Sequence, residues 1–229
     1  MRVEPGAFEA FYGAPLQHPW LLWAAAAVGV AACLARRDLH PSLRRYGVAL
    51  GVLSALDAWL TSSHVYGLGA LPGAFAGAVP LLFVLAGDFR YLLLAVAATP
   101  DGRLRAGARD GLVALGLTAI VPITSQLVMG ALPPAAHAER VLFLVYELSF
   151  LVLVAGLAQR HPNVRRAPWL RSLGRFVMLY YGLWASADAI LIATGSDLGY
   201  ALRVLPNVLY YGGLIAAIAR LAPAPARVD

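Results

Sequence analysis

Four carboxylates in this chain stand where carboxylates are expensive. Asp57, Asp88, Glu147 and Asp188 all fall inside long apolar runs, and an ionisable side chain at mid-membrane costs at least about 2.5–3.5 kcal/mol on insertion scales. A residue kept at that cost has a partner or a use. Ser54, Asp57, Thr61 and His64 follow i, i+3, i+7, i+10, which stacks them on one helical face. Tyr181, Trp184 and Asp188 repeat the pattern at i, i+3, i+7, and Arg203, Asn207 and Tyr210 do so at i, i+4, i+7. Glu147 sits beside Tyr146 in the middle of another run. Together they describe a polar, aromatic-lined cavity at mid-depth, suited to a cation, a proton or a hydroxylated small molecule. The candidate ligand-binding set is therefore Asp57, Thr61, His64, Glu147, Tyr181, Trp184, Asp188, Asn207 and Tyr210. Asp57 and Asp188 are expected as pseudo-symmetric partners. The structural alternative is that these groups hydrogen-bond to Ser, Thr and Tyr and only hold helices together, but four acids with a single arginine, Arg90, in the same runs exceed that need.

Other chemistries find less support. A carboxylate pair can run general acid–base catalysis, but there is no nucleophile elbow, no HExxH and no set of histidine boxes. An enzymatic reading rests on Asp57, His64 and Asp188 alone, with the catalytic residues unassigned. His18, His64 and His137 cluster toward one side, and three histidines can hold zinc or copper. His18 and His137 lie in Pro- and Ala-rich edges without a supporting carboxylate, so no metal is expected. A bis-histidine haem needs two histidines inside spans, and only His64 qualifies. The single Cys33 makes neither a disulfide nor a thiolate site. All 18 basic residues are arginine; without lysine there is no Schiff base. No cofactor is expected.

The elements carrying these residues are set by composition. Of 229 residues, 60% are hydrophobic and 13% charged, with a mean hydropathy of +0.71. A soluble domain carries roughly a quarter charged residues, so the chain reads as all-α integral membrane protein. A span needs about 20 apolar residues, and seven candidates follow at 18–35, 46–67, 72–97, 111–131, 140–159, 175–194 and 200–220. They use most of the chain, leaving a single transmembrane domain over 1–229. The first 17 residues contain two Glu and no basic start of the cleavable-signal kind, so the first span is expected to be retained. Arginines orient the bundle. Fourteen follow spans 1, 3, 5 and 7, against Arg2, Arg140 and Arg203 on the other side, which places the N-terminus outside and the C-terminus in the cytoplasm. The net charge of +6 then reflects loop arginine, not nucleic-acid binding. His40 and His161 join those loops, where they cap helices or meet lipid headgroups. Arginine in place of lysine suits a GC-rich bacterial genome, hence the bacterial inner membrane.

A weak repeat runs through the chain. Leu34-Ala35-Arg36-Arg37 and His40-Pro41-x-x-Arg44-Arg45 answer to Leu157-Ala158-Gln159-Arg160 and His161-Pro162-x-x-Arg165-Arg166. Gly51 with Asp57-Ala58-x-Leu60 answers to Gly182 with Asp188-Ala189-x-Leu191, and Leu71-Pro72 to Leu205-Pro206. The offsets grow from 121 to 131 to 134, which loops can absorb. Two parallel three-helix units, 18–97 and 140–220, joined by a linker helix at 111–131, are expected. As topology this 3+1+3 plan resembles the SWEET sugar carriers and their proline–glutamine-loop relatives, and it is also similar to the seven-helix rhodopsins. No proline–glutamine motif or rhodopsin lysine is present, so no functional residue is carried over. The leading functional expectation is a small-molecule or proton-linked carrier or ligand-binding protein, its site between the two units. The alternatives are a membrane-embedded enzyme acting on a lipid or isoprenoid, a structural subunit of a membrane complex, and a receptor. Expected partners are membrane lipids, a small-molecule ligand, and a second copy or partner membrane subunit.

Overall fold

A computed structural model describes residues 6–62, 73–133 and 138–224, with backbone alone for 73–78. Among these residues the chain is helical, with one isolated antiparallel bridge, Ala98 to Leu104, closing a tight turn at Gly102 (φ 77°). We number the helices α1 (Ala7–Tyr12), α2 (Leu16–Ala35), α3 (Pro41–Leu60), α4 (Gly73–Ala97), α5 (Ala108–Ala131), α6 (Glu139–Arg160), α7 (Pro162–Arg166), α8 (Pro168–Thr194) and α9 (Leu198–Leu221). Among the described residues, six of them (α2, α4, α5, α6, α8 and α9) are long and apolar enough to cross a membrane. The remaining long helix, α3, has the length, 20 residues, but Arg44, Arg45 and Asp57 dilute its apolar character. It also ends sooner than expected. Thr61 caps it by donating to the Asp57 carbonyl, so the 46–67 run is not one helix. The His64 position lies outside the described residues.

Helix boundaries follow from capping chemistry. His40 and His161 both precede a proline at the first helical position, where the missing N–H is no loss. The His40 ring accepts the Ser42 N–H at 3.2 Å. α3 then runs unbroken, whereas α7 stops after one turn and Pro168 starts α8. At its other end α8 terminates on Gly195 in the left-handed region (φ 62°), the usual glycine stop. Asp197 caps from a distance: its carboxylate accepts the Phe8 and Glu9 N–H groups, both at 2.7 Å, and so fixes α1 onto the start of α9.

Packing is closest where side chains are absent. α2 and α9 cross at Gly29 and Gly212; a Cβ on Gly212 would stand 1.9 Å from the Ala25 carbonyl oxygen. α8 packs between α6 and α9, and α5 between α4 and α6. Apolar side chains on the outward faces, among them Leu112, Leu127 and Val152, are left 70% or more exposed. Such surface suits hydrocarbon and not water.

The two ends of the bundle differ. At one end lie the arginine-rich segments. The Arg36 guanidinium donates to the Ala219 carbonyl, Ser42 accepts the Leu104 N–H at 3.0 Å, and the Trp169 indole donates to the Thr99 carbonyl at 3.2 Å. Leu43, Leu94, Leu170 and Ile218 fill the interior there and are fully buried. In the same turn the exposed Asp101 carboxyl is held below its usual range, first by the Thr99 hydroxyl and then by Arg103. The opposite end, carrying α1 and the starts of α2, α6 and α9, encloses a polar cavity.

Candidate functional site

That cavity has a volume of about 260 Å³. α3 supplies Asp57 and Thr61; α6 supplies Tyr146 and Glu147; α8 supplies Tyr181 and Trp184; α9 supplies Arg203, Asn207, Tyr210 and Tyr211. Tyr12 of α1 covers one side and His18 of α2 another. Seven of the nine residues singled out from spacing, Asp57, Thr61, Glu147, Tyr181, Trp184, Asn207 and Tyr210, thus meet around one space. The helical stripes explain this: each turns its polar face inward while its apolar face remains outside.

Asp188 is the exception among the described residues. It does not line the cavity but lies fully buried behind the wall, bound by Arg203 and, at 3.4 Å, by Arg140. Arg203 also reaches within 4.0 Å of Glu147 and donates to the Tyr12 hydroxyl at 3.3 Å. Asp57 and Asp188 are therefore not facing partners. Arg203, near the start of α9, reaches back to α8 and binds the second aspartate, a contact that spacing along one helix does not signal. Asp57 has softer company: the Thr61 hydroxyl donates to it at 3.3 Å, and the Tyr211 hydroxyl is a further donor. Among the described residues it makes no ion pair with an arginine.

Two further charges lie between α4 and its neighbours. Asp88 accepts hydrogen bonds from the Tyr146 hydroxyl at 2.5 Å and from the Tyr181 hydroxyl. Arg90 neither snorkels to a surface nor forms an ion pair among the described residues. It is buried, donates to the Ser54 hydroxyl at 3.0 Å, and stacks 4.1 Å from the Tyr210 ring centroid. Its i+2 spacing from Asp88 signals nothing by itself, so only the fold reveals that both support cavity-wall tyrosines.

An aromatic wall completes the site. The Tyr181 and Trp184 rings meet edge-on at 5.4 Å, and Trp184 and Tyr210 are 5.2 Å apart. The Trp184 indole donates to the Asn207 side-chain Oδ1 at 2.9 Å, and the Asn207 Nδ2 donates to the Tyr12 hydroxyl at 3.3 Å, so the wall is held in one orientation. His18 was expected at an edge; the wide turn at Leu16–Leu21 instead brings its Nε2 within 3.1 Å of both the Ala58 carbonyl and Thr61. His137, like His64, lies outside the described residues. Comparison of the chain with protein-family models, with curated proteins and with solved structures finds no match.

Proposed function

We propose that this chain is a multipass protein of the bacterial inner membrane that binds a small molecule in the cavity between α3, α6, α8 and α9, and that it acts as a carrier or ligand-binding protein. The observation that carries this reading is the convergence of Asp57, Glu147, Asn207 and the aromatic wall from four helices on one space. Helix glue does not require a cavity, because groups that only bond one another pack against each other. The volume is near the lower limit of ligand pockets, about 300–1,000 Å³, which favours a compact molecule over a long isoprenoid chain. The seventh crossing is assigned to α3, whose Val52, Leu56 and Trp59 side chains face outward. With the arginine-rich end in the cytoplasm, the cavity opens toward the outer half of the bilayer. Proton coupling is part of the reading, since among the described residues Asp57 forms no salt bridge with an arginine.

Thermal unfolding of the purified protein with panels of small amines, polyols and carboxylates tests this. A true ligand present at 100 times its Kd stabilises by about 2.7 kcal/mol. One chemical class is expected to stabilise the wild type and to lose its effect in Trp184→Ala. If no class does so, or if W184A responds as the wild type does, the cavity is not a binding site.

A further inference from the structure

We propose that the ligand is a small organic monocation, an alkyl- or quaternary ammonium, with its charge against Asp57 and Glu147 and its alkyl groups on Tyr181, Trp184 and Tyr210. This rests on the cavity being a binding site and adds the class of molecule. Three observations lead to it.

The first is the charge of the lining. Two carboxylates, Asp57 and Glu147, and one guanidinium, Arg203, border the space. Arg203 is already committed to Asp188, which is fully buried. An anionic ligand would compete with that pair and with both lining acids. A cation meets two carboxylates, one from α3 and one from α6.

The second is an unsatisfied acceptor. Glu147 is 5% exposed; Arg203 stands 4.0 Å from its Oε1, and among the described residues its Oε2 has no hydrogen-bond partner, although Glu147 borders the cavity. A buried carboxylate oxygen left in this way costs more than a neutral group would, and an ammonium beside it would remove the cost.

The third is the aromatic wall. Trp184 contacts both Tyr181 and Tyr210, and the negative faces of such rings attract alkylammonium groups, the arrangement used by quaternary-ammonium cages. Arg90 already stacks on Tyr210 at 4.1 Å from the ring centroid, so one ring of this wall engages a cation within the protein itself.

The test compares three probes of one shape on the full-length protein in detergent: choline, its uncharged carbon analogue 3,3-dimethylbutan-1-ol, and the anion 3,3-dimethylbutanoate, measured by equilibrium binding. Choline is expected to bind at least about ten-fold tighter than the alcohol, with the anion weakest. Asp57→Asn and Glu147→Gln are each expected to weaken choline and not the alcohol. The wild-type comparison stands even where a variant fails to fold. If the alcohol or the anion binds as tightly as choline, and W184A abolishes that binding, the cation assignment is wrong while the cavity reading survives. If none of the three binds saturably, both are wrong.

Discussion

At the scale of single residues, the same residue type does different work in two places. Asp188 holds Arg203 and Arg140 together in a buried ion cluster, whereas among the described residues Asp57 makes no salt bridge and accepts from the Thr61 hydroxyl at the edge of a cavity. Removing one partner of a buried ion pair leaves an uncompensated charge and costs about 3–5 kcal/mol. Asp188→Asn is therefore expected to destabilise by about 3 kcal/mol or more. Asp57→Asn, where an amide can still accept from Thr61, is expected to change stability by less than about 1 kcal/mol. Unfolding of both variants in mixed detergent decides this; equal losses would mean that Asp57 too is a structural charge. The sequence put both aspartates forward with equal weight, because spacing on a helix identifies a face but not the residue across from it. Arg203 was visible in the same stripe as Asn207, yet nothing local says that it reaches back to α8.

At the scale of elements, most boundaries were readable. Apolar runs, the His-Pro starts and the glycine stop at Gly195 are local signals, and most helices begin and end within a few residues of them, although α8 starts at Pro168 and not at 175, its first two turns carrying the arginines that read as loop. The end of α3 was not, because the polar face that continues to His64 looks like continuing helix, while Thr61 turns back to cap it. The His-Pro starts of α3 and α7 share an extended histidine before a first-turn proline, but only the His40 ring caps its helix, and α7 breaks where α3 continues. Close crossings are also invisible in a single sequence rich in glycine. Gly212→Ala would press a methyl into the backbone of α2 and is expected to cost about 3 kcal/mol. Gly182→Ala has nothing within 4 Å of its new methyl and is expected to gain up to about 1 kcal/mol from lost unfolded-state freedom. A pair of unfolding curves distinguishes a real α2–α9 contact from a generic glycine effect. Between α6 and α7, burial lowers the pKa of His161. The folded state then holds fewer protons than the unfolded state below about pH 6.5, so stability falls with acid in that window and is indifferent above it. The difference in melting temperature between wild type and His161→Gln should accordingly be constant above neutrality and shift against the wild type near pH 5.5; a constant difference throughout would remove the assignment.

For the whole molecule, composition and arginine placement carry the membrane reading, and the outward apolar faces agree with it. The side of the bilayer and the crossing of α3 together determine where the cavity opens. Reporter fusions after Arg105 and after Arg166 are expected to read cytoplasmic, and one near His137 extracytoplasmic; a cytoplasmic signal at His137 would overturn the orientation. The most direct test of the central claim uses the fact that the chain has one cysteine, Cys33, which is buried. In a Cys33→Ala background, cysteines placed at Asn207 in the cavity wall and at Leu173 in the closed half are exposed, in intact cells, to a membrane-impermeant maleimide. An outward-opening polar cavity predicts labelling at Asn207 and none at Leu173. Absence of labelling at Asn207 from outside, with labelling only after the cytoplasmic face is opened, would contradict the account.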